Sequence, residues 1–537
     1  MDATRLPLSR LNVFLIILLM WAAMYLPALG TRELRGEEAR RIFPALNMLK
    51  TGDWLMPSIG GEAYHRKPPF INWLIAGSFI LTGEQSELSA RLPSALAILA
   101  FAGMLVWLRG DWLSLEARLV AAIIFLSSLG VIDKGRVIEI EATYIALTSM
   151  AVFAWWNTWA RNGSAWALWL VPSIFLACGM LTKGPPTLLF YYVPIVCSLA
   201  YARRLRVLWS PAHLAEMVVY LGLPLMWLVL ARHQGGDSVA GAISAEMVAR
   251  LTPLHIDRGR WLSELSNSFK YLLPWILFAP ALWKHDLIAG LPSAHLPLFK
   301  GGRLGVTIAF VAVAVIPQNH GRYALAAVGA LSVLLGWLLT GVEELPDRGR
   351  LWRQVVLAGY VAACLGAAFG LIAVRGDIWS AVLLCGAICL TIILMKEREA
   401  LQTSVSLAVV SGVLAVLVTL QYAMFAPVQR HRGEVNRPVA AEVNSLVPEH
   451  ETIYAFRPGY LPFLFYVREP VTYLTEVGQI DDRVRFLLVR EDAYRQLKED
   501  PRFTLRSAAT LYDFTYTHRG VVRLIQLSPT VYGRDLD

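Results

Sequence analysis

The chain has 537 residues, 56% of them hydrophobic and only 17% charged, with a formal net charge of +9, a pI of about 9.3 and a mean hydropathy of +0.50. A soluble domain carries nearer a quarter charged residues, and many apolar runs approach the roughly 20 residues a spanning helix needs, so the composition excludes an ordinary soluble protein and points to a polytopic membrane protein. The basic balance suits Lys and Arg in cytoplasmic loops; no basic tract interleaved with aromatics lies on a polar stretch, which argues against a nucleic-acid partner.

Arg5 and Arg10 precede the apolar run 11–29. That run is long for a signal peptide, and no small-residue cleavage site follows it, so it reads as an uncleaved first span with its N-terminus inside. Further spans are expected near 91–109, 115–133, 142–160, 165–182, 186–202, 215–232, 270–284, 304–317, 323–342, 352–374, 378–395 and 405–425, about thirteen in all. The segment 70–82 is too short to span and reads as re-entrant or interfacial. Connections on one side carry Arg109, Arg161, Arg203, Arg204, Arg206, Lys284, Lys300, Arg303, Arg348, Arg350, Arg353, Lys396 and Arg398. This is the positive-inside pattern for an odd number of spans, and it puts the C-terminal region outside. Cys178, Cys197, Cys364, Cys385 and Cys389 all lie in apolar spans and read as small membrane-core residues rather than ligands.

The polar residues gather in the opposite connections. The first, 30–73, holds Glu37-Glu38 with Arg35, Arg40 and Arg41 around it. Ile42, Ala45, Leu46 and Leu49 then form a helical apolar stripe, which Pro44 interrupts, so that a second short helix could start there. Gly52 should stop the helix, Gly60-Gly61 should turn the chain, and Lys67-Pro68-Pro69 closes the loop. Carboxylates and bases between apolar spans are costly unless they sit at the water interface or work there, so this loop reads as one wall of a catalytic cavity at a membrane surface. The connection 133–141 adds Asp133, Lys134, Arg136, Glu139 and Glu141; on a helix the two glutamates would point different ways, and Glu141 at a helix start has a plain alternative role in stabilising the dipole. Lys183, in the turn Thr182-Lys183-Gly184-Pro185-Pro186, runs against the charge rule and reads as a snorkelling lysine or an anion partner. The long connection 233–269 brings Glu246, Arg250, His255, Asp257, Arg258 and Arg260, and the turn Gln318-Asn319-His320-Gly321-Arg322-Tyr323 completes the set. From about residue 426 the composition becomes mixed and charged, and strand-like runs alternate with helical ones. This predicts a small α/β domain of roughly 110 residues, large enough for its own core.

In order along the chain, these residues resemble the GT-C membrane glycosyltransferases that use polyprenyl-phosphate sugars, with the lipid A 4-amino-4-deoxy-L-arabinose transferase branch nearer than the protein O-mannosyltransferases. The resemblance rests on Glu37-Glu38-Ala39-Arg40, Gly52-Asp53-Trp54, Lys67-Pro68-Pro69, Glu141, Thr182-Lys183-Gly184-Pro185, the Glu246, Arg250, Pro274 and Trp275 loop, and Arg322-Tyr323. Three positions depart from the family pattern: Glu37 replaces Asp, Arg66 stands where the lipid A branch tends to carry an acidic residue, and Pro44 interrupts the surface helix.

The resemblance implies a polytopic α-helical catalytic domain over 1–425, including the first outer loop 30–90 and the outer loop 233–269, and an extracytoplasmic α/β domain over 426–537. It implies transfer of a sugar, with inversion at the anomeric carbon, from a polyprenyl-phosphate donor to an acceptor such as lipid A, an envelope glycan or a protein, in the cytoplasmic (inner) membrane. Glu37 is the leading catalytic base and Glu141 the second. Lys67 and Arg322 are expected on the donor phosphate, with Lys183 and Arg258 in reserve. Glu38, Arg40, Tyr64, Glu246, Arg250, His255 and Tyr323 are expected to position substrate. No cofactor or metal ligand set is expected, and a divalent-metal requirement stays open. The rival reading, a transporter or flippase, would place ionisable residues near the bilayer midplane on broken helices, often in inverted repeats.

Overall fold

The computed structural model describes residues 9–64, 67–235, 257–289, 291–317, 319–341, 435–468, 470–513 and 520–529, with positions 412, 415, 416 and 419. The chain divides into two compact units: Met1–Leu29, Arg91–Leu230 and Ala240–Val428 form one, and Gly30–Ala90, Ala231–Val239 and Gln429–Asp537 form the other.

The first unit is helical. Among the described residues four helices are long and apolar enough to cross a membrane: Glu87–Trp107, Pro211–Gln234, Ser293–Ala314 and Gly321–Thr340. The pair Leu115–Ser127 and Leu129–Gly135, bent by 65°, makes a fifth if counted as one span. The bend falls where the hydroxyls of Ser127 and Ser128 turn back onto the carbonyls of Ile123 and Ile124, and Ser128 itself adopts an extended conformation. The stretches expected as spans at 10–29, 142–160, 165–182 and 186–202 are helical, as Arg10–Tyr25, Ile140–Ala160, Ala165–Met180 and Pro186–Tyr201. None of the four is among the helices long and apolar enough to cross, and three of them are 16 residues long. The span expected at 270–284 is corrected: this stretch is a turn followed by the 3-10 helix Trp275–Trp283, because Pro274 and Pro280 each remove a donor that an α-helix needs. The spans expected at 352–374 and 378–395 lie outside the described residues, as does that at 405–425 apart from four helical positions.

Close helix approach in this unit depends on missing side chains. A Cβ on Gly301 or Gly305 would lie 2.3 Å from the backbone of Ser198 or Pro194, so the Gly-x-x-x-Gly face of the Leu296–Ala314 helix lets the Pro186–Tyr201 helix pack backbone to backbone. Buried Arg118 closes the end of the Glu87–Trp107 helix by donating to the carbonyls of Leu105, Leu108 and Gly110.

The second unit starts with a 3-10 turn, Gly36–Glu38, that runs into the helix Ala39–Thr51. This helix is continuous through Pro44, so no second helix starts there. Ile42 and Ala45 are buried as the stripe predicts, but Arg41 and Met48 complete the buried face while Leu46 and Leu49 stay half-buried. Gly52 ends the helix at φ 74°. Gly60 and Gly61, at φ 60° and 84°, form the two-residue turn of a hairpin between β1 (Ser58–Ile59) and β2 (Glu62–Ala63), a turn type that needs positive φ at both central positions. The apolar helix Phe70–Thr82 has 13 residues, short of a span as expected.

The C-terminal part of this unit is the α/β fold that the composition predicts. Its strands are β3 (Ile453–Phe456), β4 (Val471–Leu474), β5 (Phe486–Arg490), β6 (Phe503–Asp513) and β7 (Gly520–Pro529), in the order β4-β3-β5-β7-β6. β3 is parallel to β4 and β5, and β7 is antiparallel to β5 and β6. The buried carboxylate of Glu33 fastens the first loop to this part: it accepts backbone N–H bonds from Val435, Asn436 and Arg437 at the start of the Asn436–Leu446 helix, capping a helix that lies 402 residues later in the chain. Glu87 adds a second fastening, accepting from Arg437 and from the Tyr466 hydroxyl.

Candidate active site

The helical unit holds an ionic network with a buried centre. Glu139 is the extended N-cap of the Ile140–Ala160 helix and Glu141 lies in its first turn, so the two carboxylates are not held apart by helical geometry. Both face Arg322: its Nε lies 3.2 Å from Glu141 Oε1 and its Nη1 3.8 Å from Glu139 Oε2. Lys183 Nζ stands 3.5 Å from the same Glu141 oxygen, and Lys134 Nζ lies 3.2 Å from Glu139 and 3.1 Å from Asp133. The Lys183 and Glu141 side chains are only 2% and 4% exposed, so Lys183 does not snorkel to solvent. Its ammonium instead sits over two rings, 4.5 Å from the centroid of Tyr144 and 4.1 Å from that of Tyr323. Burial, and then the neighbouring Glu141 charge, push the Glu139 carboxyl up to about 7 against the pull of Lys134 and Arg322.

The turn that carries Arg322 is held from the Arg258–Lys270 helix. Glu264 accepts the backbone N–H of Gly321 at 2.8 Å and bonds His320 Nδ1 at 3.2 Å. Burial would raise the Glu264 carboxyl, but these bonds outweigh it and hold it below its usual range. Among the described residues Arg258 lies exposed at the head of the same helix and makes no bond to the network. Glu246, Arg250 and His255 lie outside the described residues.

In the other unit Glu37 is 30% exposed and accepts from Arg40 Nη1 at 2.7 Å, with Arg41 Nη2 at 3.8 Å. Arg40 also donates to the Tyr460 hydroxyl and lies over that ring, 4.1 Å from its centroid. Arg41 is buried and its Nη1 donates to the Tyr64 hydroxyl at 3.4 Å. Glu38 is buried and accepts the backbone N–H of Arg35 at 3.2 Å, closing the 3-10 turn that presents Glu37. Lys67 is half-buried just before the Phe70–Thr82 helix. Gly52-Asp53-Trp54 is a fastening rather than a reactive motif: Asp53 Oδ1 accepts from the N–H groups of Leu55 and Met56, and the Trp54 carbonyl accepts from Trp73 Nε1 at 2.7 Å.

Some members of these clusters were not expected as site residues. Tyr144 is fully buried, and among the described residues its hydroxyl has no hydrogen-bond partner. Its i+3 spacing from Glu141 places the two on one helix face, which is a signal the sequence does contain. Glu264 and Tyr460 reach their partners only through tertiary structure and carry no local signal.

The comparisons with known proteins agree with this architecture. A family model described as dolichyl-phosphate-mannose-protein mannosyltransferase matches residues 11–234. The undecaprenyl phosphate-alpha-4-amino-4-deoxy-L-arabinose arabinosyl transferase of Shewanella sediminis is 26% identical over 347 residues, 61% of this chain and 60% of that protein, so the match spans less than two thirds of that relative. The protein of the same name from Aeromonas salmonicida is 25% identical over 409 residues, 64% of this chain and 74% of that one. ArnT from Cupriavidus metallidurans, solved bound to undecaprenyl phosphate, shares the fold at a TM-score of 0.66 with 20% identity, over 96% of this chain and 97% of that one. The chain is thus a multi-pass membrane protein that shares the ArnT fold and is similar, over part of its length, to the undecaprenyl-phosphate arabinosyl transferases named above.

Proposed function

We propose that the chain is an integral membrane glycosyltransferase that moves a sugar from a polyprenyl-phosphate donor, of the undecaprenyl-phosphate type, to a membrane-associated acceptor. Lipid A, another envelope glycan and a protein are the acceptor classes. The observation that carries the reading is a pair of cations, buried Lys183 and half-buried Arg322, brought from distant segments onto buried Glu141. Lys134, Lys183 and Arg322 gathered on the largely buried Glu139 and Glu141 form an expensive arrangement, and an anionic substrate group gives it a use.

In this mechanism the acceptor oxygen attacks the anomeric carbon, the bond from that carbon to the phosphate oxygen breaks, and the electron pair leaves with the phosphate. A carboxylate takes the acceptor proton. Glu37 is the leading base, presented on a 3-10 turn and oriented by Arg40, with Glu141 second. Lys183, Arg322 and Lys67 are assigned to the departing phosphate, whose growing charge they stabilise, with Arg258 in reserve. Tyr64, Tyr323, Glu38 and Arg40 position the groups. Attack opposite the leaving phosphate inverts the anomeric centre. The donor sugar is already activated, so no nucleotide site is needed.

An apolar cavity of about 650 Å³ in the helical unit, lined by Phe269, Leu272, Ile276, Phe310 and Leu331 with Lys270 and Arg303 as its charged members, suits a prenyl chain. The basic connections favour a cytoplasmic (inner) membrane location with the N-terminus inside and the region 426–537 outside. Nothing in the described residues favours the transporter reading. Mass spectrometry of envelope lipids and glycans from cells with and without the gene tests the function. A sugar-modified species lost with the gene and restored by the intact chain is expected; identical profiles would overturn the reading.

A further inference from the structure

Tyr460 stands on the turn that leaves the C-terminal end of β3. β3 runs parallel to both its neighbours, and loops at the C-terminal ends of parallel strands are where α/β sheets habitually present functional groups. The turn is tightly determined. Arg457 takes a positive φ of 44°, and its backbone N–H and Nε donate to the carbonyls of Leu474 and Thr475 at 3.0 and 2.7 Å. Gly459 follows at φ 63°. The first-loop hairpin seats against the same turn: a Cβ on Gly60 would lie 3.0 Å from Pro458 Cγ and 3.1 Å from the Gly459 carbonyl. Tyr460 is therefore delivered to Arg40 by packing that leaves little freedom, and it meets Arg40 in two ways, with the ring face and with the hydroxyl.

We propose that Tyr460 is a positioning residue for the transfer reaction. It locks the Arg40 guanidinium by stacking and by accepting from Nη2, and Arg40 in turn fixes the Glu37 carboxylate through Nη1. The C-terminal region thereby sets the orientation of the base as well as covering the first loop. A guanidinium free to rotate would let the carboxylate follow it, and small errors in the placement of a base lower turnover more than they lower binding. This inference rests on the reading of Glu37 as the base.

The test uses the full chain in lipid bilayers with a polyprenyl-phosphate sugar donor. Tyr460→Phe keeps the ring and loses the hydroxyl; Tyr460→Leu loses both. The expected result is a fall in kcat of about threefold for Phe and about tenfold for Leu, donor KM within about twofold, and an unchanged melting temperature. In an Arg40→Lys background, which keeps the charge but not the stacked fork, Tyr460→Leu should cost little more, because the two residues act as a unit. Full kcat in Tyr460→Leu, a parallel loss of kcat and thermal stability, or effects that multiply across the Arg40→Lys background would each overturn the proposal. Normal turnover in Glu37→Gln would instead remove the base reading itself. An inactive Glu37→Gln beside an undiminished Tyr460→Leu would remove this inference alone.

Discussion

The two charged clusters solve one electrostatic problem in opposite ways. Around Glu141 the carboxylate and its lysine are closed off from solvent: Lys183 is 2% exposed at 3.5 Å with aromatic rings over its ammonium, and half-buried Arg322 lies at 3.2 Å. Around Glu37 the carboxylate is 30% exposed and Arg40 16%, and water shares the work of solvation. Buried ion networks are costly to assemble and costly to break, because removing one partner strands the others, whereas half-exposed pairs contribute little to stability. The same residue types should therefore report differently, through folding in the helical unit and through turnover in the first loop.

The largest expected effect is on turnover. Glu37→Gln keeps the shape and the hydrogen bond to Arg40 but cannot take a proton, so transfer should fall by roughly 10²- to 10⁴-fold while thermal unfolding in the same lipid is unchanged. Near-normal turnover would take Glu37 out of the chemistry. Next comes Lys183→Met, which fills the space between Tyr144 and Tyr323 without a charge and leaves Glu141 with fewer partners. Unfolding should cost about 3–5 kcal/mol less than in the intact chain. Should its melting temperature move no more than that of Glu37→Gln, the contrast between the two clusters would fail.

Much of this arrangement is legible before any coordinates. The capping and turn chemistry of Gly52 and Gly60-Gly61 comes out as read, since positive φ is a local demand that only a few residues meet. The strands and helices after residue 435 follow their own alternation. Pro44 misleads, because loss of one backbone hydrogen bond is tolerated where the ring itself is buried against the unit. The stretch 270–284 misleads in the other direction: its apolarity reads as a span, and two prolines shorten it to a 3-10 turn. Glu139 and Glu141 seem opposed only while both are assumed helical; an extended N-cap brings the first round toward Arg322. Contacts such as Glu33 with the Asn436–Leu446 helix, Glu264 with Gly321, or Tyr460 with Arg40 join segments with no local pattern in common, and periodicity cannot report them.

The smallest expected effect sharpens the comparison most, because it reads burial directly. Glu139 titrates near 7 in the folded chain, raised first by burial and then by Glu141, against an ordinary value of 4.5. Between those two values the folded state holds a proton that the unfolded state has released, so stability must fall as pH rises through this window. Below about 4.5 both states are protonated and the penalty vanishes; above about 7 both are ionised and it is constant. Glu139→Gln removes the titration, so its stability relative to the intact chain should rise from pH 4.5 to 7 and level off beyond. Melting curves at pH 4.5, 6 and 7.5 in one lipid composition measure the difference. A gap between the two proteins that stays constant over that range would mean that Glu139 is ionised throughout, held by Lys134 and Arg322 more strongly than burial resists.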